Sequence, residues 1–181
     1  SEDYQSALGA WLSLRDLGKN GSERNLYRVP SMTGGSAFSF HAPPLSVFDQ
    51  SWEDGQYKLT GALMEGFTLT VHAQTVGQGE ASSKVCFEEL SSAFIAGLAD
   101  NRRASLDPST SETSELAEFV RWDHELLVRT RPWKRERIPQ AWFVHGAGSE
   151  CFMVQVGEHP AGPQTQTLFS EIEASISFVA P

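Results

Sequence analysis

The sequence predicts an α+β domain: an antiparallel sheet of two three-stranded meanders, helices packed on it, and an additional N-terminal helix. Three observations carry that expectation. Apolar and polar residues alternate in two blocks, residues 45 to 76 and 120 to 157, which is the period of strands. Helical spacing of apolar residues occurs before, between and after those blocks. Short Gly-containing turns inside the blocks join neighbouring strands as hairpins rather than as crossovers. At 181 residues and 19.9 kDa the chain suits one such domain over residues 26 to 181, preceded by a helix and linker over residues 1 to 25.

In chain order, Tyr4, Leu8, Trp11 and Leu12 share one helical face within residues 3 to 17, with Asp3 near the start and Gly18 just past the end. "GKNGSERN", residues 18 to 25, reads as a linker, and a short strand is expected near Phe38 and Phe40. The first meander is "LSVFDQSWEDGQYKLTGALMEGFTLTVHAQTV", with turns at Asp54-Gly55 and Glu65-Gly66. In its third strand Phe67, Leu69, Val71 and Ala73 alternate with Thr68, Thr70, His72 and Gln74, so one face is buried and the other polar. Residues 84 to 99 return to helical spacing through Phe87, Leu90, Phe94, Ile95 and Leu98, with Ser82 or Ser83 as the cap. Residues 101 to 115, rich in Ser, Thr and Asp around Pro108, read as a polar loop.

The second meander opens with Val120, Trp122, His124, Leu126 and Val128 alternating along a half-exposed strand. "QAWFVHG" and "ECFMVQVG" follow as central strands joined at "AGS". Leu168, Phe169, Ile172 and Ile176 mark a closing helix, and "FVA" ends the pattern.

Net charge is -9 and the pI about 5.0, which opposes binding of a polyanion over most of the surface. Against that background "RTRPWKRERI", residues 129 to 138, stands out: five basic residues against Glu136 give it +4 and leave -13 for the rest. One loop is too small to replace the several counterions a nucleic-acid surface releases. The stretch therefore reads as the end of a hairpin between strands 117 to 130 and 138 to 146. Arg131, Trp133, Lys134, Arg135 and Arg137 are the candidate contacts for an acidic protein partner. Apolar runs stop well short of the eighteen or so residues a spanning helix needs, so a soluble chain is expected. Its start at Ser1 fits either a trimmed chain or one that has lost a signal segment. Cys86 and Cys151 are the only cysteines, and they are either one disulfide in an oxidising compartment or two buried thiols.

No catalytic residue, metal ligand or cofactor is assigned. His41, His72, His124, His145 and His159 form no HxH, HxxxH or HExxH pattern, and no CxxC pair is present. "HGAGSEC" at 145 to 151 lacks the second Gly of a nucleophile elbow and joins two strands, so Ser149 and Cys151 read as turn and strand residues. Asp49, Glu53 and Asp54 sit beside a turn, where acidic residues are common for backbone reasons. "MTGGS" at 32 to 36 lacks the Lys of a phosphate loop and reads as a flexible connection.

The order of elements, with "FSEIEASISF" at 169 to 178 and Pro44, Phe48, Asp49 and Ser51 within "PLSVFDQSW", resembles the DcrB-like and PsbP-like α/β domains. The resemblance implies a binding module rather than an enzyme, since related domains occur as Eag-type chaperones of type VI secretion effectors, envelope lipoproteins and photosystem accessory proteins. The expected function is thus a non-catalytic bacterial protein-binding module, secretion-associated, acting as effector chaperone or immunity protein on a secreted effector or toxin. A chaperone implies the cytoplasm; an immunity protein implies the periplasm, a signal segment and a Cys86–Cys151 bridge. The rival expectation is an envelope domain that binds a small apolar ligand or lipid.

Overall fold

The computed structural model describes residues 15–17, 23–77, 79–100, 103–158 and 162–178. Strands β1 (Arg15–Leu17), β2 (Glu23–Pro30) and β3 (Ser36–Ala42) form a three-stranded antiparallel sheet in that order. Most of the helix expected over 3 to 17 lies outside the described residues, but its last three form β1, paired with Glu23, Arg24 and Asn25. The linker expected up to residue 25 gives way to β2 at Glu23, because Asn25, Tyr27 and Val29 bury alternate side chains in strand period. "MTGGS" is part of a tight β2–β3 turn, in which Ser31 N–H donates to Gly35 C=O at 3.0 Å. The buried Glu150 carboxylate holds that turn, accepting from Ser31 Oγ at 2.7 Å and from Met32 N–H at 2.5 Å.

The larger sheet contains β4 (Leu45–Glu53), β5 (Gln56–Leu63), β6 (Phe67–Thr75), β7 (Ala104–Glu115), β8 (Val120–Arg131), β9 (Lys134–Ala147) and β10 (Glu150–Glu158). Its order is β4-β5-β6-β10-β9-β8-β7, antiparallel throughout. The two expected meanders are therefore halves of one seven-stranded sheet, fused where β10 pairs with β6 from Glu150↔Thr75 to Glu158↔Phe67. The first meander keeps its expected turns, with Asp54 and Gly55 at φ 50° and 71° and Glu65 and Gly66 at φ 68° and 86°.

Residues 104 to 115 were expected as a loop and form the edge strand β7 instead. Composition pointed away from a strand, but β8 offers a partner. Pro108, which cannot donate to a ladder, falls in a register break between Asp107 and Glu112. There Thr110 replaces the missing backbone bonds: its hydroxyl donates to Asp107 C=O at 2.7 Å and accepts from Glu125 N–H at 2.8 Å.

Helices α1 (Ser83–Asp100) and α2 (Thr165–Ser175) pack on opposite faces of the large sheet. Side chains alternate along each strand, so β9 sends Ala141 and Phe143 to one face and Trp142 and Val144 to the other. On the first face lie the three-stranded sheet and α2, whose Leu168, Phe169 and Ile172 are buried against Phe67, Leu69, Val71 and Phe152. On the second, α1 brings Phe87, Leu90 and Phe94 onto Trp122 and Trp142. Ser82 caps α1 by accepting from Val85 N–H at 3.1 Å. The expected apolar stripe is narrower than foreseen: Ile95 is 45% exposed, and Cys86 takes the innermost position.

Cys86 and Cys151 are joined in a disulfide that ties α1 to β10. The approach is close enough to require glycine at position 146, where a Cβ would lie 2.5 Å from the Ser82 backbone and 2.9 Å from Cys86 Sγ. Among the described residues no helix is long and apolar enough to cross a membrane.

Candidate functional site

The basic stretch is the end of the β8–β9 hairpin, closed by the two-residue turn Pro132-Trp133. The strands run closer to the turn than the expected limits of 130 and 138, so most of the stretch is strand rather than loop. Cross-strand pairing sets Arg129 opposite Arg135 and Arg131 opposite Lys134, with a register shift at Thr130 between the two pairs. Successive residues point to opposite sides of a strand, so the shift leaves the two like-charge pairs on opposite sides of the ribbon.

This geometry divides the five candidate contacts. Arg131 and Trp133 stand at the tip, Trp133 being 80% exposed. Lys134 lies on the same side and reaches Glu136 at 2.9 Å. Arg135 points instead toward a cleft of about 310 Å³ at the base of the hairpin, which Leu98, Ala99, Arg103, Leu127 and Arg129 also line. Arg137 is held by two carboxylates, Asp107 at 2.7 Å and Glu125 at 2.9 Å, and both contacts keep it firmly protonated. Hydrogen bonds from Ser109, then from Arg137, hold Asp107 below the ordinary carboxylate range. Arg137 is thus a tie between three strands, while the tip belongs to Arg131, Trp133 and Lys134. Arg129 and Arg103 were missed as site residues. Arg129 was readable as the cross-strand partner of Arg135; Arg103, on β7's threshold, carried no signal.

The polar residues weighed for chemistry are spread over the sheet. His145 lies on the face of α2, stacked on Phe152, with Nδ1–H donating to Glu118 C=O at 2.5 Å. His124 lies on the face of α1 among Trp122, Trp142 and Phe94. Its Nε2–H donates to Gln140 Oε1 at 2.8 Å, its Nδ1 is buried without a protein partner, and burial pushes its pKa down to about 4. His72 bonds Gln74 at 3.0 Å across the polar face of β6, and Ser149 occupies the β9–β10 turn. Asp49 is on β4 at the far edge, His41 is on β3, and His159 lies outside the described residues. Among the described residues no group of three His, Cys, Asp or Glu side chains is placed to hold a metal ion.

Sequence spacing also gave no hint of Arg121. It is 8% exposed between Asp123 at 3.1 Å and Glu173 of α2 at 3.0 Å, over the Phe143 ring. Burial raises the Asp123 pKa and the Arg121 contacts oppose it, so this is an ion pair buried for packing, beside α2 rather than in a cleft.

No family model and no curated protein matches the sequence. Among solved structures, the chain is similar to the solution structure of cyanobacterial PsbP (CyanoP) from Synechocystis sp. PCC 6803, with a TM-score of 0.54 at 12% identity, covering 91% of this chain and 98% of that one. The fold is similar to that of PsbP. Looser matches are LpqN of Mycobacterium tuberculosis, described as involved in cell envelope biogenesis (TM-score 0.41, 15% identity, 77% of this chain and 87% of that one), and a Bacteroides thetaiotaomicron protein (TM-score 0.44, 11% identity, 84% and 47%). A PsbP-like fold accounts for the sheet flanked by helices, but at 12% identity it carries no residue across to the hairpin tip.

Proposed function

We propose that the chain is a non-catalytic binding module that grips an acidic protein partner with the tip of the β8–β9 hairpin. The observation that carries this reading is Trp133, 80% exposed between Arg131 and Lys134 on a chain of net charge -9. A large apolar ring at the end of a rigid ribbon, with cations on either side, has the composition of an interface anchor. Cationic flanks speed the approach of an acidic surface and set its register. The Cys86–Cys151 bridge supports residence in an oxidising compartment such as the periplasm or the cell exterior. The secretion-associated roles implied by the DcrB-like resemblance, effector chaperone or toxin immunity, belong to this proposal and turn on the partner's identity.

The test is co-expression with the products of adjacent genes, followed by size-exclusion chromatography. A stable complex should form, weaken as salt rises, and lose at least tenfold in affinity with either Arg131→Glu or Trp133→Ala. A complex indifferent to both substitutions and to salt sinks the reading.

A further inference from the structure

We infer that the free edge of β4 is a strand-addition site, which takes up an extended segment of another protein in which cationic and apolar residues alternate. The site lies at the edge of the large sheet and does not involve the hairpin tip.

A sheet edge presents a row of unpaired N–H and C=O groups, and native sheets protect such rows with short strands, breaks, charges or a covering segment. Among the described residues the two sheets have four edges, and three are protected in these ways. β1 is only three residues long. β3 is closed by Ser177, whose N–H donates to Ser39 C=O and whose C=O accepts from Ser39 N–H, both at 2.9 Å. β7 carries Pro108 in its register break and exposes no large apolar side chain. β4 differs on each count. It is nine residues long, contains neither Pro nor Gly, and pairs with β5 without a break from Val47↔Ala62 to Glu53↔Gln56. Its outer side pairs with no described strand, and there Val47 is 71% and Phe48 41% exposed.

The composition of this edge selects its occupant. Val47, Asp49, Ser51 and Glu53 share the face that α1 leaves open, opposite Ala62, Thr60, Lys58 and Gln56 of β5, while Phe48, Gln50 and Trp52 point the other way. Residues 42 to 57 contain Asp49, Glu53 and Asp54, all exposed, and no Lys or Arg; Lys58 is the one cation on the neighbouring strand. A second copy of the chain, paired antiparallel along β4, would set one row of carboxylates beside another on two bodies of charge -9. A strand with Lys or Arg at every second position instead places cations beside Asp49 and Glu53, and its intervening apolar residues beside Phe48 and Trp52. Main-chain bonds to β4 then supply affinity, and the two rows of side chains supply selectivity. The hairpin tip, being basic, asks for the opposite charge in its partner, so the two sites recognise different surfaces.

Fluorescence anisotropy with the whole chain tests this, using a labelled nine-residue peptide of alternating Lys and Val. Expected is one saturable site, with the Glu-Val analogue bound roughly tenfold or more weakly. Methylating every second backbone nitrogen of the Lys-Val peptide keeps its charge, and in one of the two phases it removes the N–H groups that pair with β4. That phase should bind roughly tenfold or more weakly than the parent peptide. Amide exchange of residues 47 to 53 should slow on binding. Val47→Lys, and separately Asp49→Lys with Glu53→Lys, should each lower affinity roughly tenfold with circular dichroism unchanged, since all three positions are exposed. Arg131→Glu with Trp133→Ala should leave peptide binding intact. No saturable binding, or equal binding of the parent and both methylated peptides, overturns the proposal, as does protection that arises away from β4. Loss of peptide binding in the tip variant moves the peptide to the tip and overturns it. A dimer of the wild type in sedimentation velocity that Val47→Lys abolishes gives the edge to a second copy, which overturns it too.

Discussion

The two faces of the seven-stranded sheet are covered by different means. One carries a second sheet and α2 over a continuous core that reaches from Tyr27 and Phe40 to Phe169 and Ile172. The other carries only α1, over a smaller cluster of Trp122, Trp142, Val144 and Met153, and a disulfide bolts that helix down. Beyond α1 the second face is open: Lys58, Thr60, Thr68 and Gln74 of the first meander meet solvent or lie half-buried. The difference shows how cross-linking and area substitute for each other. α1 has a narrow apolar stripe, with Ile95 already outside it, and the bridge adds to its hold by constraining the unfolded chain.

The comparison breaks hardest at its two anchors. Phe169→Ala empties a site that is 0% exposed in the larger core and should cost about 3–5 kcal/mol in global unfolding by urea. Cys86→Ala with Cys151→Ala releases a loop with a sequence separation of 65, worth about 4 kcal/mol in the chain-entropy view and somewhat less where native strain intervenes. The two losses should differ in kind. Phe169→Ala lowers amide protection everywhere, while the cysteine variant exposes α1 first, and hydrogen exchange that loosens both faces alike in the cysteine variant contradicts the division.

His124 sharpens the contrast through pH. Its ring is buried on the α1 face and its pKa is depressed to about 4, mainly by desolvation, against 6.5 for an exposed histidine. Between those values the unfolded chain binds a proton that the folded chain does not, so the contribution is complete above pH 6.5 and is lost as pH falls toward 4. The slope is about 1.4 kcal/mol per pH unit and the whole loss about 3 kcal/mol. Denaturant titrations at pH 7, 6, 5 and 4 should show that fall in wild type and a flatter profile in His124→Gln; parallel profiles remove His124 from the account.

Much of this architecture was legible in the sequence, for reasons that particular residues make plain. Asp54-Gly55 and Glu65-Gly66 need positive φ, and Phe67 through Ala73 alternate cleanly, so the first meander could be read locally. The closing helix was legible through Leu168, Phe169 and Ile172, all buried. β7 was not, because "ASLDPSTSETSE" becomes a strand only when β8 lies beside it. The fusion of two meanders into one sheet is likewise a long-range pairing with no local mark. At the hairpin, the identity of the basic residues was visible, but which were tied, which stood free at the tip and which faced the cleft depended on one register shift at Thr130.

The smallest expected effect lies at the rim of the α1 face, where the edge strand that sequence missed meets the aromatic cluster. Trp122 Nε1–H donates to Ser111 Oγ at 2.8 Å, and Ser111 sits in the register break of β7. Ser111→Ala removes the acceptor and leaves an indole N–H facing inward, which costs about 1 kcal/mol when water can still approach from the exposed Ser111 side and more when it cannot. Because the bond pins β7 to the smaller cluster alone, the loss should appear as faster amide exchange around residues 104 to 115, with α2 and the three-stranded sheet unchanged. Equal loosening of Tyr27 and Val29 in β2 would mean that the two faces unfold as one unit, and the distinction between a self-supporting face and a bolted one would fall with it.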